Sequence, residues 1–177
     1  MKFIRNKLEL AYEGAIINVY KDYLTTPDNK EVVYDLIDHV GAAAVMPIDQ
    51  DGNIILVKQY RNVLDRDSYE IPAGCKTCKE EDGRLCALRE LEEETGFTTK
   101  KLIPIGDIMG MIGVSNEMCS VYIATELELG KANPDPEEFL ELYHVSLDEA
   151  LQMVQERKIV DVKTVMAIYA YMAGYGR

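Results

Sequence analysis

The sequence predicts an α/β/α sandwich built on a mixed sheet, with a small antiparallel sheet at its N-terminal end. Three observations indicate this fold class: strand-like alternation over most of residues 2–60, one strongly patterned helix near residue 83, and two further helices after the last strands. Helices placed both before and after strands of one sheet can cover both of its faces. The 177 residues are enough for one domain with a sizeable core and a short appendage.

Three strands are predicted ahead of the main domain. Residues 2–10 and 15–24 show strand patterns, and a third strand ends near Val40. Three such strands are hard to place in a compact core of their own. We therefore expect an N-terminal dimerisation element over residues 1–40, a main domain over residues 41–177, and a homodimer.

The main domain begins with a strand pair around the Asp51-Gly52 hairpin signal. A short strand leads to Pro72, and the patterned helix follows. The remaining pattern predicts alternating strands and then two helices, the first of which begins at a capping box. The predicted ranges are 41–48, 54–60, 68–71, 102–109, 117–127 and 139–145 for strands, and 147–157 and 162–172 for helices.

The charge balance limits the classes of partner. The net charge of −12 argues against sequence-independent binding of nucleic acid, which needs cationic side chains facing phosphates. An anionic substrate is compatible with this charge only if metal ions and a few placed cations offset the repulsion. We find no apolar run near 18 residues and no leader pattern, so we expect no membrane contact and a cytoplasmic location.

The stretch from Gly83 to Phe97 concentrates negative charge in a way that requires an explanation. It is predicted to be a helix closed by Gly96, with four glutamates within five residues. A helical wheel places Leu85, Leu88 and Leu91 on one apolar stripe, with three of the glutamates, Glu90, Glu93 and Glu94, on the opposite side. Like charges at this spacing repel. A bound divalent cation would explain them, since such cations prefer carboxylate oxygens; a solvated acidic surface is the alternative.

The cysteines suggest a second, weaker metal hypothesis. Cys75 and Cys78 form a C-x-x-C motif, as in half of a zinc site or a redox pair. A closed zinc site needs four ligands, and the other candidate ligands stand alone in the sequence. Reduced thiols are therefore favoured over zinc.

The segments around the glutamate helix resemble the Nudix box, G-x5-E-x7-R-E-U-x-E-E-x-G-U, in which U is apolar. Residues 89–97 match every specified position of its second half. In the first half, six residues rather than five separate Gly74 from Glu81, so Glu80 and Glu81 are alternatives for the first glutamate. The resemblance implies the Nudix fold, and it makes Arg89 a structural residue that joins loop and helix by ion pairs.

The resemblance also implies the roles of individual residues. The family's metal ligands correspond to Glu90, Glu93, Glu94 and the carbonyl group of Ala73, with Mg²⁺ as the cation and Mn²⁺ as an alternative. In the branch of the family that hydrolyses ADP-ribose, the base lies on a loop downstream of the box. Glu138, and after it Glu137, is the candidate here. The matching substrate-binding positions are Arg61, Glu70, Gly113 and Glu117.

The function that the resemblance implies is Mg²⁺-dependent hydrolysis of ADP-ribose to AMP and ribose 5-phosphate. One departure keeps other nucleoside diphosphate sugars open, such as GDP-mannose or ADP-glucose: Ile112 stands where ADP-ribose hydrolases of this type have proline. Two alternatives belong to other classes of protein. One is a non-catalytic module that binds a nucleotide sugar, and the other is an interaction dimer with a merely solvated acidic helix.

Overall fold

The computed structural model describes residues 2–131 and 139–176. In these two ranges the chain forms, in order, β1 (Ile4–Glu13), β2 (Asn18–Thr25), β3 (Glu31–Asp38), β4 (Ala42–Pro47), β5 (Ile54–Arg61), β6 (Arg66–Glu70), β7 (Ala73–Cys75), α1 (Gly83–Thr95), β8 (Phe97–Thr98), β9 (Lys101–Ile108), β10 (Cys119–Thr125), β11 (Glu128–Leu129), β12 (Glu141–Val145), α2 (Leu147–Gln155) and α3 (Val162–Met172).

The chain divides into two compact units. The first consists of Met1–Gly41 together with Met109–Met118. Within it, β1, β2 and β3 form an antiparallel sheet, which confirms the predicted N-terminal sheet. The segment before β10 joins this sheet, since the N–H group of Ile37 donates to the carbonyl oxygen of Val114 at 2.7 Å.

The second unit, Ala42–Ile108 with Cys119–Arg177, contains the mixed sheet. Its strand order is β7-β4-β10-β9, and β4 and β10 run parallel while the two outer pairs are antiparallel. A second sheet has the order β12-β5-β6 and is antiparallel throughout, and β8 pairs with β11. The mixed sheet confirms the sequence prediction.

Strand β4 shows how helices cover both faces of the mixed sheet. Successive side chains of a strand point to opposite faces. Ala43 and Val45 pack in one buried cluster with Cys86, Ala87 and Leu91 of α1. The alternate residues of β4 pack in a second cluster that includes residues of α2 and α3: Ala42, Ala44, Met46, Ala150, Ala167 and Ile168. Helix α1 therefore covers one face and the C-terminal helices the other, which confirms the predicted sandwich.

The differences from the predicted elements are confined to short strands and to element ends. Strands β7, β8 and β11 were not predicted, because two or three residues are too few to show a period. Helix α3 has the predicted bounds, whereas α2 ends two residues early. In the described ranges, every helix is too short or too polar to cross a membrane.

Candidate active site

Helix α1 begins and ends at residues whose side chains suit these positions. The carboxylate of Asp82, the N-cap residue, accepts a hydrogen bond from the N–H group of Arg84 at 2.7 Å. Gly96 adopts φ 72° at the C-cap and donates to the carbonyl oxygen of Glu92 at 2.9 Å. Glycine reaches this left-handed conformation without steric penalty. The predicted end of the helix at Gly96 is confirmed.

The face on which α1 packs differs from the predicted one. Leu85 is 62% exposed, whereas Glu90 and Glu94 are only 8% and 6% exposed. The prediction that a stripe of leucines holds the helix to the core is therefore right for Leu91, which is fully buried, and wrong for Leu85; Glu90 and Glu94 are buried as well. The helix packs through Leu91 together with Cys86 and Ala87, whose small side chains are fully buried. Such residues allow close approach to β4 but contribute little to a hydrophobic period.

The carboxylate of Glu90 lies directly against the backbone of β7. A Cβ atom added to Gly74 would stand 2.3 Å from Glu90 Oε1 and 2.5 Å from Oε2, closer than any side chain could remain. Glycine at this position therefore makes room for the carboxylate beside the strand that also carries Ala73.

Arg89 joins the helix to the loop that precedes it. Its Nη1 donates to the carboxylate oxygens of Glu90 and, at 3.1 Å, of Glu93, and Nη2 donates to the carbonyl oxygen of Cys75 at 3.0 Å. Its Nε lies 3.8 Å from Glu81 Oε1. The expected structural role of Arg89 is confirmed, and the partner in the box is Glu81. Burial lowers the pKa of Arg89, but the negative charge of Glu90 and the hydrogen bonds to Glu93 and Glu90 together outweigh it, so the pKa is raised overall.

We call Glu81, Arg89, Glu90, Glu93 and Glu94 the helix cluster. Its oxygen donors suit a hard divalent cation, and Gly74 admits the carboxylate of Glu90 close to the strand that carries Ala73, so the residues present fit the expected cation in their chemistry. Within the described ranges, no three or more His, Cys, Asp or Glu side chains converge as a metal site, and Arg89 contacts both Glu90 and Glu93.

None of the four cysteines, all of which lie in the described ranges, forms a disulfide bond. Cys75 and Cys78 are exposed, and Cys86 and Cys119 are buried. Burial raises the pKa of Cys86 to about 11, in spite of the opposing charge of Arg89. The Cys86 thiol is therefore protonated at neutral pH and packs as a small apolar group.

A second group of charges lies at the ends of β5 and β6 and at the start of α3. Arg61 forms a bidentate ion pair with Glu70, with Nε to Oε1 at 2.8 Å and Nη2 to Oε2 at 2.7 Å. Lys163 Nζ donates to the same Oε2 at 3.0 Å and to Asp161 Oδ1 at 2.8 Å. We call Arg61, Glu70, Asp161 and Lys163 the strand cluster.

The sequence pattern indicated only half of the strand cluster. Arg61 and Glu70 were predicted, but Lys163 lies 93 positions from its partner, and no local pattern indicates that contact. One signal in the sequence indicates the role of Asp161: it precedes Thr164 by three residues, as the N-cap residue of a helix precedes the residue that donates to it. Its carboxylate accepts from the Thr164 N–H group at 3.0 Å.

The strand cluster holds Glu70 as a carboxylate. Burial alone would raise the pKa of Glu70, but the hydrogen bonds from Arg61 and the charge of Lys163 lower it to about 2. The pKa of Arg61 is raised by its hydrogen bond to Glu70, against burial, and also by the charges of Glu94 and Asp161. The influence of Glu94 on Arg61 connects the helix cluster and the strand cluster electrostatically.

The remaining predicted residues are the substrate-binding candidates Gly113 and Glu117 and the base candidates Glu137 and Glu138. Gly113 and Glu117 belong to the first unit, where Glu117 donates its N–H group to Ser115 Oγ at 3.1 Å. Gly113 is exposed, and an added Cβ would meet nothing within 4 Å. Glu137 and Glu138 lie outside the described residues. The roles of these four residues stay predictions.

Glu92, the fourth glutamate of α1, has a different environment from the other three. Its Oε1 accepts a hydrogen bond from the N–H group of Lys131 at 3.1 Å. A Cβ added to Gly130 would lie 2.7 Å from the same oxygen. Glu92 therefore holds residues 130–131 against helix α1. These residues come just before the segment of the sequence that carries the predicted base.

Comparisons with known proteins agree with this geometry. The family model described as "NUDIX domain" matches residues 38–164. The chain is 40% identical to an ADP-ribose pyrophosphatase of Bacillus subtilis, over 90% of this chain and 87% of the relative. It is 32% identical to an ADP-ribose pyrophosphatase of Mycobacterium tuberculosis, over 96% of this chain and 84% of the relative. A solved structure described as that of an ADP compounds hydrolase has a similar fold, with a TM-score of 0.86, coverage of 100% and 97% of the two chains, and 19% identity.

Proposed function

This chain belongs to the Nudix family, and we propose that it hydrolyses ADP-ribose to AMP and ribose 5-phosphate. The observation that carries the proposal is the helix cluster, in which Glu90 lies against the backbone at Gly74 while Glu94 acts electrostatically on Arg61. Carboxylates for a cation and a guanidinium for a phosphate are the two components that a diphosphate substrate needs. The two relatives named above as ADP-ribose pyrophosphatases support the choice of substrate.

The proposed reaction is a displacement at phosphorus. The oxygen of a water molecule forms a new bond to one phosphorus atom of the diphosphate, and the bond from that atom to the bridging oxygen breaks. The bridging oxygen leaves with the other phosphate, and a carboxylate accepts a proton from the water. We propose Glu138, or Glu137 as the alternative, as that carboxylate.

Members of this family generally use a divalent metal ion, and we propose Mg²⁺, with Mn²⁺ as an alternative. Glu90, Glu93 and Glu94 would hold it together with the carbonyl group of Ala73. When bound, such an ion offsets the charge of the phosphate oxygens and lowers the pKa of a water molecule. Arg89 would keep the loop and the helix together, through its bonds to Cys75 and the helix carboxylates.

Arg61 is proposed to bind a phosphate group of the substrate. Its ion pair with Glu70 uses Nε and Nη2, so Nη1 is the nitrogen that would donate to a phosphate oxygen. Because Glu70 stays ionised down to low pH, the orientation of Arg61 is kept over the whole neutral range. Glu70, Gly113 and Glu117 are proposed as further contacts to the substrate.

A second candidate function is hydrolysis of another nucleoside diphosphate sugar. Ile112 stands where ADP-ribose hydrolases of this type have proline, and this replacement favours the alternative. The side chain of Ile112 is 79% exposed. A GDP-mannose pyrophosphatase of Cronobacter sakazakii is among the relatives, at 24% identity. A non-catalytic nucleotide-sugar module is the third candidate, although a pure binding protein does not need the carboxylates of the helix cluster.

The test is release of nucleoside monophosphate from a panel of nucleoside diphosphate sugars, with Mg²⁺ and with EDTA. We expect AMP from ADP-ribose at the highest kcat/KM, and no release in EDTA. Faster turnover of a GDP- or ADP-hexose would select the second candidate. Binding of ADP-ribose without turnover of any compound would select the binding module.

We also propose a homodimer formed through the N-terminal sheet. Every residue of β1 is exposed, including apolar side chains that a solvated strand would not need: Ile4, Leu8, Leu10 and Tyr12. Sedimentation equilibrium at micromolar concentration should give twice the chain mass. A monomer at that concentration would contradict the proposal. The cytoplasmic location expected from the sequence stays a prediction.

A further inference from the structure

The strand cluster contains one residue that the proposed reaction does not use. Lys163 lies in the first turn of α3, and its side chain is 16% exposed. Its ammonium group contacts Glu70 Oε2 at 3.0 Å and Asp161 Oδ1 at 2.8 Å. A lysine held in this way is itself unable to reach far into solvent, so any effect on a substrate has to pass through its partners.

Glu70 is the partner that can carry such an effect. Its side chain is only 5% exposed, and both of its carboxylate oxygens are bonded to Arg61. A bidentate pair fixes the plane of a guanidinium group as well as its position. Lys163 bonds to Glu70 Oε2, the same oxygen that accepts from Arg61 Nη2. Glu70 itself has almost no contact with water. The position of the carboxylate, and with it the plane of the guanidinium group, is therefore determined from two sides.

The next residue of α3 holds the backbone of the same segment. Thr164 is fully buried, and its Oγ1 accepts a hydrogen bond from the N–H group of Ile71 at 2.9 Å. Asp161 Oδ2 in turn accepts from Thr164. One turn of helix thus fixes the side chain of Glu70 and the backbone of Ile71, two residues before Ala73.

We propose that Lys163 is a positioning residue, which orients Arg61 toward a phosphate group of the substrate by fixing Glu70 between two cations. This inference rests on the proposed function, because it takes Arg61 as a phosphate-binding residue. Lys163 itself touches neither the substrate nor the reacting atoms. Its contribution is to binding, so it should appear in KM and in the affinity for ADP-ribose rather than in kcat.

The test compares Lys163→Met with Lys58→Met. Methionine keeps most of the length and apolar volume of lysine but removes the ammonium group. Lys58 lies on β5, the strand that carries Arg61, and pairs with Asp67 and Glu141 at 3.2 and 3.3 Å, away from Glu70. The control therefore removes an ion-paired lysine from the same sheet without disturbing the strand cluster.

We expect Lys163→Met to raise KM for ADP-ribose about tenfold, with kcat within threefold of wild type. Calorimetric titration of ADP-ribose in EDTA, where no turnover takes place, should show the same loss of affinity. Lys163→Arg should restore most of the affinity, because it returns a cation to Glu70. Lys58→Met should leave KM and affinity within twofold.

A double variant separates positioning from a general loss of structure. If Lys163 acts through Arg61, adding Lys163→Met to Arg61→Ala should change KM by less than twofold. An additional tenfold rise in the double variant would overturn the inference, as would equal KM values for wild type and Lys163→Met. In both cases the proposed function stands, provided that wild type hydrolyses ADP-ribose. A wild type that neither binds nor hydrolyses ADP-ribose would overturn the proposed function and this inference together.

Discussion

The helix cluster and the strand cluster lie in the same unit and use the same residue types, but their charges balance differently. The helix cluster contains four carboxylates and one cation, Arg89, which contacts three of them: Glu81, Glu90 and Glu93. The strand cluster sets two carboxylates against two cations, Arg61 and Lys163. The strand cluster is thus complete within the chain, whereas the helix cluster has an excess of negative charge that a bound cation would offset.

This difference indicates that the two clusters have different functions. A balanced and buried ion-pair network is rigid and suits the positioning of a phosphate-binding group. A cluster with excess carboxylates suits the binding of a cation that arrives with the substrate. The following predictions test this distinction.

The largest effect is expected from Glu94→Gln, which keeps the shape of the side chain and removes its charge. We expect kcat for ADP-ribose to fall by more than about 100-fold, since even residues that only support metal ligands contribute about 10- to 100-fold to activity. Glu92→Gln is the matched control on the same helix. Its Oε1 can still accept from Lys131, so kcat should stay within twofold. A kcat for Glu94→Gln within threefold of wild type would remove Glu94 from the metal site.

The ion pairs of the strand cluster should affect how the free energy of unfolding depends on pH. The pKa of Glu70 in the folded protein is about 2, below its ordinary value of 4.5. A carboxylate with a lowered pKa stabilises the fold above its unfolded pKa, and this contribution is lost as the pH falls through the folded pKa. Wild type should therefore lose about 3 kcal/mol more than Glu70→Gln between pH 5 and pH 2. Urea unfolding at stepped pH measures this, and parallel curves for the two proteins would contradict it.

A smaller effect is expected from Arg89→Met, which removes the guanidinium group from the helix cluster. In EDTA we expect a loss of about 2 kcal/mol in the free energy of unfolding, because Glu90 and Glu93 lose a shared donor. Added Mg²⁺ should stabilise this variant more than wild type, since it replaces a missing positive charge.

Arg84→Met is the control for that experiment. Arg84 lies on the same helix but donates to the carbonyl oxygen of Leu102 at 2.9 Å, and not to a carboxylate of the helix cluster. Its replacement should leave the response to Mg²⁺ as in wild type. An equal Mg²⁺ response in all three proteins would contradict the expectation that the cation replaces the charge of Arg89.

The sequence predicted features that depend on local chemistry. The C-terminal end of α1 follows from Gly96, whose capping function depends only on neighbouring residues. The Nudix box placed Arg89 with Glu81, although the extra residue in the loop left Glu80 as an alternative until the ion pair was seen.

Features that depend on packing were less predictable. The buried face of α1 was assigned only in part, because large leucines dominate a hydrophobic period, whereas the helix packs through Cys86 and Ala87 as well as Leu91, and Leu85 is exposed. The buried position of Glu90 requires a glycine opposite it on β7, and nothing within the helix sequence indicates this. Lys163 was missed for a related reason, since its contact depends on where α3 packs.

The contacts of α3 also set an order of events during synthesis of the chain. Glu70 and Ile71 find their partners in Lys163 and Thr164, both 93 positions later. A nascent chain that already contains the complete glutamate helix therefore still lacks the groups that fix Arg61. Substrate affinity should consequently reach its full value only after residue 164 has left the ribosome.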